Sequence, residues 1–98
     1  MGSKYWSIFT GDLKHCYLSG TEGVEIHHIF FGNPYFRKHS EEDGYIIPLS
    51  PEWHRGNNGV HHSYPLDESL KQFCQEHFEE THTREEFIRR YGKSYLGK

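Results

Sequence analysis

The sequence predicts a small α+β fold in which two short strands precede three helices. Two segments rich in β-branched and aromatic residues, 24–30 and 45–49, predict the strands. Helix start signals follow the second strand, and apolar periodicity together with a capping box indicates two further helices. The chain of 98 residues has the length of one domain, and no repeat or linker divides it. We therefore expect a single domain over residues 1–98.

A leader is expected before the strands, and a loop between them. Residues 1–13 contain Tyr, Trp, Ile and Phe side chains that can pack on the core. Segment 32–44 begins with Gly-Asn-Pro and continues with charged residues, which predicts a loop. Pro48, within the second strand, cannot donate a hydrogen bond to a neighbouring strand, so we expect it at a sheet edge or a strand end.

A short helix is predicted directly after the second strand. Ser50 is a favourable N-cap, Pro51 suits the first helical position, and Glu52 suits the positively polarised first turn. The run Gly-Asn-Asn-Gly at 56–59 weakens helices, so we expect the helix to end before it.

Two C-terminal helices are predicted within residues 66–96. The first, over about 67–80, has an apolar stripe at helical spacing: Leu70, Phe73, Cys74, His77 and Phe78. The second begins at the capping box formed by residues 83–86 and ends near Gly92. Three of its side chains are expected to face the core, namely Phe87, Ile88 and Tyr91.

Composition and charge exclude several classes of protein. The aromatic content of 16% is too high for a disordered chain, although the mean hydropathy is −0.89. No apolar run approaches the roughly 18 residues of a membrane span, and no signal peptide is recognisable. Two cysteines, Cys16 and Cys74, cannot form a disulfide scaffold. The net charge of −3 argues against binding nucleic acid through bulk electrostatics. We expect a cytoplasmic protein with no membrane partner.

Nine histidines are the most informative feature of the composition. The pair His27-His28 ends the first strand, His54 lies in the short helix, and the pair His61-His62 follows the glycine-rich turn. Neighbours on a strand point to opposite faces, so the first pair can share a site only if the strand ends or bulges there. Neutral imidazoles bind metals and serve as general bases near neutral pH. Phosphodiester hydrolysis needs both a base for the water and a divalent cation for the phosphate.

These histidines lie in segments that resemble a known family. Ile26-His27-His28-Ile29 is followed by a variable stretch and then by Ile46-Ile47-Pro48-Leu49-Ser50-Pro51-Glu52-Trp53-His54-Arg55. The pattern resembles the HNH endonucleases, also called His-Me finger or ββα-metal nucleases. The continuation over 56–61, 84–88 and 91–96 is similar to small phage-encoded RecA-dependent recombination-enhancement nucleases. The resemblance covers roughly residues 16–96, and implies a ββα-metal core over 24–62 with two additional C-terminal helices.

The resemblance implies roles for four histidines. His28 matches the general base that activates the attacking water, and His27 matches the metal ligand just before it. His54 matches the helical metal ligand. His61 is the candidate third ligand, with His62 as its alternative.

Two positions depart from the family pattern. Many members hold a structural zinc with two Cys-x-x-Cys pairs, of which this chain keeps only Cys16. We therefore expect no structural zinc, with Cys16 and Trp53 packing in its place. Where many members have an Asn that orients the base, nine positions before His54, this chain has Tyr45. Another group, such as a backbone carbonyl, must then fix the ring of His28.

The implied activity is metal-dependent cleavage of DNA, in phage or prophage recombination or DNA processing within the bacterial host cell. The resemblance implies Mg²⁺ or Mn²⁺ for activity, whereas Zn²⁺ or Ni²⁺ suits histidine ligands better than Mg²⁺ does. Arg55 and Lys38 are candidate phosphate-binding residues because of their charge. Single-stranded DNA and recombination intermediates are the substrates we consider, and a recombinase is the partner.

Two alternatives remain open. In the first, the chain is a catalytically inactive ββα domain that binds DNA or a recombinase partner, since the family's cysteines and Asn are missing. In the second, the histidines bind a metal that only holds the fold together.

Overall fold

The computed structural model describes residues 5–57 and 59–97, which form two strands and four helices of a small α+β fold. The strands are β1 (Glu25–His28) and β2 (Ile46–Leu49). In chain order the helices are α1 (Pro34–Asp43), α2 (Pro51–Arg55), α3 (Tyr64–Phe78) and α4 (Arg84–Tyr91), with one turn of 3₁₀ helix at Val60–His62 between α2 and α3. No helix in the described ranges combines the length and the apolar composition needed to cross a bilayer.

The two strands pair antiparallel in a two-stranded sheet, and both were predicted. The register places His27 opposite Ile47 and His28 opposite Ile46. Pro48 pairs with Ile26, and because each strand is an edge of this sheet, its missing N–H is tolerated as predicted. Every residue of β2 is buried, whereas β1 is fully buried only at its two histidines. The sheet therefore carries the histidine pair into the interior.

The prediction of a loop over 32–44 is wrong, because this segment contains helix α1. The side chain of Asn33 accepts a hydrogen bond from the backbone N–H of Tyr35 at 2.8 Å, and Pro34 occupies the first turn. Gly44, at φ 78°, closes the helix in the left-handed conformation. The cap, the proline and the terminal glycine were readable in the sequence, but the charged run between them hides any apolar stripe.

A polar contact, rather than an apolar stripe, holds helix α1 to the end of β1. The hydroxyl of Ser40 is fully buried, donates to the carbonyl of Phe30 at 3.1 Å and accepts from the N–H of Phe30 at 3.2 Å. A buried serine satisfied in both directions does not show up as a hydrophobic position, which explains why periodicity missed the helix.

The hydrophobic core lies between the sheet and helices α3 and α4. Phe30, which follows β1, is its central ring, with centroids 5.6 Å from Phe87 and 4.2 Å from Tyr91. The other core side chains are fully or almost fully buried: Cys16, Ile29, Tyr45, Ile47, Leu49, Val60, Cys74 and Phe78. Trp53 packs partly buried against the same core as Cys16, as predicted.

Both predicted C-terminal helices are present, but some of the side chains that face the core differ from the prediction. Helix α3 begins three residues before the predicted start, because Ser63 caps it through the N–H of Leu66. Its buried face includes Lys71 and Gln75, whereas the predicted stripe residue Phe73 is 49% exposed and His77 is also exposed. The long polar side chains are paired: Lys71 with Asp67, and Gln75 with Tyr95.

Helix α4 confirms the predicted capping box, in which Thr83 and Glu86 bond each other's backbone. Phe87 and Tyr91 are buried as predicted, but Ile88 is 39% exposed, so its inward placement is wrong. Residues four apart share a helix face, and Ile88 lies beside that face.

The described part of the leader lies along the second strand. The N–H of Ile8 bonds the carbonyl of Gly44 at 2.9 Å, and Ser7 bonds the carbonyl of Ile46. Ile8 and Phe9 pack partly buried against the core, while Trp6 stays half exposed over Gly44. The first four residues of the predicted leader lie outside the described residues.

Candidate metal centre

Three of the four predicted site histidines meet at one point. His27 comes from β1, His54 from α2 and His61 from the 3₁₀ turn, and one ring nitrogen of each lies within 4.8 Å of the others. The ring centroids are 4.7 to 5.1 Å apart. His27 is buried, His54 half-buried and His61 exposed, so the cluster reaches from the core to the surface. We call these three residues the histidine cluster.

The turn between α2 and the 3₁₀ helix makes this convergence possible. Ser50 caps α2 as predicted, accepting from the N–H of Trp53. At Gly59 a Cβ atom would lie 2.7 Å from the carbonyl oxygen of Trp53, closer than real side chains approach. The absence of a side chain lets the turn pass against the end of α2, which brings His61 Nε2 to 3.1 Å from His54 Nε2.

A carboxylate orients the ring of His54. Glu25, the first residue of β1, places Oε1 2.7 Å from His54 Nδ1. Hydrogen bonds from His54 and Arg55 hold the pKa of Glu25 below its usual range, so it is an acceptor at neutral pH. In its neutral form, His54 then carries its proton on Nδ1 and leaves the lone pair of Nε2 facing the cluster. Carboxylate–histidine pairs of this kind are typical of metal ligands.

His27 is the buried member of the histidine cluster. Its Nε2 atom has no hydrogen-bond partner within the described ranges, although the ring is only 1% exposed. Burial lowers the pKa of His27 to about 3, with the neighbouring His61 and His54 adding to the effect. Partial desolvation, followed by the neighbouring His54, also lowers the pKa of His61. Both rings are neutral at pH 7, and an unpartnered buried ring nitrogen is costly without a ligand.

His28 has a different partner from its neighbour. Its Nε2 lies 2.7 Å from Oε2 of Glu41, and the ring is 7% exposed. The orienting group is therefore a carboxylate of α1 rather than a backbone carbonyl. Tyr45, which stands at the family's Asn position, is buried on another side of the core and bonds His77 Nδ1 at 3.2 Å.

All four histidines line one cavity of about 290 Å³. His27 and His28 share it although they are neighbours on a strand, because β1 ends at His28. The remaining lining residues come from the segment after the strand, from α1 and from β1: Phe31, Gly32, Arg37 and Ile26. The site thus contains a histidine cluster, a fourth histidine with its carboxylate, and one arginine.

The other sequence candidates lie outside this cavity. Arg55 is ion-paired with Glu25 and largely exposed, and Lys38 is an exposed residue of α1. Neither is among the described residues that line the cavity. His62, the alternative third ligand, is exposed, and the cluster of three includes His61 in its place.

Three residues of the site were missed by sequence reasoning: Glu25, Glu41 and Arg37. Glu41 and Arg37 lie in α1, which was predicted as a loop, so no face could be assigned to them. Glu25 was within the predicted first strand, but its pairing with a residue 29 positions away had no sequence signal.

A larger cavity, of about 740 Å³, is lined by residues of α1, α3 and α4. Three of its charged groups pair with one another: Arg90 bonds Asp43 at 2.8 Å and Glu42 at 2.8 Å. The buried ring nitrogen without a partner in the described residues, that of His27, lies in the smaller, histidine-lined cavity.

The fit of the residues to a cation follows from this geometry. Three imidazoles, one oriented by a carboxylate and one with an unpartnered buried nitrogen, are a donor set that suits Zn²⁺, Ni²⁺ or Mn²⁺ better than Mg²⁺. Comparison with protein-family models, with curated proteins and with solved structures finds no match to this chain.

Proposed function

We propose that the protein is a metal-dependent endonuclease of the HNH type that hydrolyses DNA phosphodiester bonds. The observation that carries the proposal is that three histidines can hold one cation while a fourth, His28, lines the same cavity with a carboxylate on its ring. Hydrolysis of a phosphodiester needs this combination of a cation and a separate base.

His28 serves as the general base in this proposal. Glu41 accepts the Nε2 proton of His28, which leaves the Nδ1 lone pair to take a proton from water. As the proton passes to His28, the water oxygen attacks phosphorus and the bond to the leaving oxygen breaks. The histidine cluster would hold a cation, which would supply charge neutralisation for the phosphate.

The donor set favours particular metals. Mg²⁺ prefers oxygen ligands, so the all-nitrogen cluster makes Mn²⁺ the better candidate for supporting activity. Zn²⁺ and Ni²⁺ are expected to bind more tightly, as the general order of affinities for nitrogen ligands implies.

We expect the protein to contact only a few phosphates of its DNA substrate, because the chain carries a net charge of −3. Proteins that grip duplex DNA over many phosphates are usually basic. Single-stranded DNA or a recombination intermediate, presented by a recombinase in a bacterial host cell, fits this charge better.

Nicking of supercoiled plasmid tests the proposal. Wild type, His28→Ala and the control His15→Ala are incubated with Mn²⁺, Mg²⁺ or Zn²⁺, and with EDTA. His15 bonds Asp12 and lies outside the site, so its variant should cut as wild type does. We expect nicked circles from wild type and the control, and none from His28→Ala or with EDTA. Undiminished nicking by His28→Ala, or binding without nicking by wild type, contradicts the nuclease assignment.

A further inference from the structure

We propose that Arg37 binds a phosphate group of the substrate at the mouth of the histidine-lined cavity. The inference deepens the proposed function, because it names the residue that anchors the phosphate next to the cleaved bond. It stands on the position of Arg37, on the absence of a competing carboxylate, and on the geometry of helix α1.

The position of Arg37 is the first observation. Arg37 lines the cavity together with the histidine cluster and His28. Of the described lining residues, it is the one with a permanent positive charge. A ligand that enters this cavity therefore meets a guanidinium group in addition to any cation on the cluster.

The second observation is that this guanidinium is available. Within residues 5–57 and 59–97, the Arg37 side chain makes no hydrogen bond, and no carboxylate lies within 4.0 Å of it. The other cations near the site are occupied: Arg55 by Glu25, and Lys71 by Asp67 at 2.6 Å. Lys71 also lies 4.5 Å from the ring centre of Phe31, which is a cavity-lining residue.

The third observation is the spacing along α1. Arg37 and Glu41 are four residues apart, which places them on one helix face, a spacing at which opposite charges commonly pair. Here Glu41 pairs with His28 instead. Helix α1 therefore presents a free cation one turn from the carboxylate that holds the proposed base.

The chemistry of this arrangement selects a phosphate. A guanidinium donates two parallel hydrogen bonds to two oxygens of one phosphate, which fixes orientation as well as charge. An anchored phosphate beside His28 and the cluster would hold the scissile bond between base and cation. The exposed Lys38, the next residue along the helix, lies outside the cavity lining and should not share this role.

Binding of a fluorescein-labelled single-stranded oligonucleotide tests the proposal without requiring cleavage. Fluorescence anisotropy is measured over a range of NaCl concentrations in the His28→Ala background, with Mn²⁺ present. To this background we add Arg37→Ala, Arg37→Lys or the matched control Lys38→Ala. Circular dichroism and Zn²⁺ titration confirm that each variant keeps its fold and its cluster. An unlabelled duplex and inorganic phosphate serve as competitors.

We expect Arg37→Ala to weaken oligonucleotide binding about tenfold and to reduce the salt slope by about 0.7. Arg37→Lys should be intermediate, Lys38→Ala should stay within about twofold, and Zn²⁺ binding should not change. Equal losses for Arg37→Ala and Lys38→Ala, or no oligonucleotide binding before either change, overturn the inference. If Arg37→Ala loses binding as expected but wild type cuts no DNA with any metal, phosphate binding at Arg37 stands and the nuclease proposal fails.

Discussion

Oε1 of Glu25 lies 2.7 Å from Nδ1 of His54, although the two residues are 29 positions apart in the chain. The contact joins the start of β1 to α2 and fixes the nitrogen with which His54 faces the other two histidines. A carboxylate that bonds a metal-binding histidine in this way raises the affinity of the metal site, because it orients the ligand and strengthens it as a donor.

Replacing Glu25 with Gln should therefore weaken metal binding. Gln can turn either its oxygen or its nitrogen to His54, so it no longer enforces one tautomer. We expect the affinity for Zn²⁺, measured by calorimetry, to fall by about 10- to 100-fold. The control Glu22→Gln removes an exposed carboxylate near His15 and should leave the affinity unchanged. Equal affinities for Glu25→Gln and wild type would contradict the orienting role.

Glu41→Ala should lower catalysis without lowering metal affinity. Glu41 bonds His28, which is not a member of the cluster, so the loss of Glu41 should affect the proposed base and not the binding of a cation. We expect kcat for nicking to fall at least about tenfold, as is typical when a general base loses its orientation, with little change in KM. The control is Glu85→Ala, which changes an exposed residue of α4. A parallel loss of Zn²⁺ binding would show that Glu41 supports the fold of the site rather than the base.

Metal should stabilise the folded chain, and His61 rather than His62 should be responsible. A ligand at 100 times its Kd adds about 2.7 kcal/mol to the free energy of unfolding, which corresponds to roughly 10–20 °C in Tm for a domain of this length. We expect Zn²⁺ to raise the Tm of wild type and of His62→Ala by similar amounts. His61→Ala should lose most of the shift. The reverse pattern would make His62 the third ligand.

Acid should destabilise the metal-free protein through His27. The folded-state pKa of about 3 is below the unfolded value near 6.5, so the unfolded chain binds the proton first as the pH falls. The stabilising effect of neutral His27 is complete above pH 6.5 and is lost progressively towards pH 3. Between pH 6 and 5, the free energy of unfolding should drop by about 1 kcal/mol from this group alone.

Urea unfolding in EDTA from pH 7 to 5 measures this dependence. His27→Gln removes the titrating ring, so the stability of this variant should depend less steeply on pH, by about one proton. His39→Gln, which removes a partly exposed histidine of α1, is the control and should keep the wild-type slope. If the free energy of unfolding depended on pH equally in His27→Gln and wild type, His27 would not be buried in its neutral form.

The sequence was sufficient to predict the elements whose ends carry strong local signals. Ser50 and Thr83 start helices by accepting hydrogen bonds from the backbone N–H groups of Trp53 and Glu86, so these helix starts depend only on nearby residues. Helix α1 was missed because its inward contact is the Ser40 hydroxyl and its other residues are mostly charged. The inward face of α3 was misjudged because Lys71 and Gln75 are buried with polar partners supplied by the fold.

Some residues of the candidate site could likewise be predicted from the sequence, and others could not. His27, His54 and His61 could be selected from the sequence because they lie in the segments that resemble the HNH pattern, and the structure brings the three rings together. Their supporting carboxylates could not be selected, because Glu is common and its role depends on the tertiary contact it makes. Arg37 and Lys38 are adjacent cations in the sequence. Only the orientation of α1 in the fold places Arg37, and not Lys38, against the cavity.

The unequal depth of the three cluster residues has a consequence for exchange of the cation. His27 is held in the sheet and His54 is braced by Glu25, whereas His61 sits at the surface on a single turn of 3₁₀ helix. For a cation bound by these three rings, we expect release to begin with rotation of His61, the outermost ring, while the two inner nitrogens keep their hold. A substitution within residues 59–63 should therefore change the rate of metal loss more than it changes the arrangement of His27 and His54.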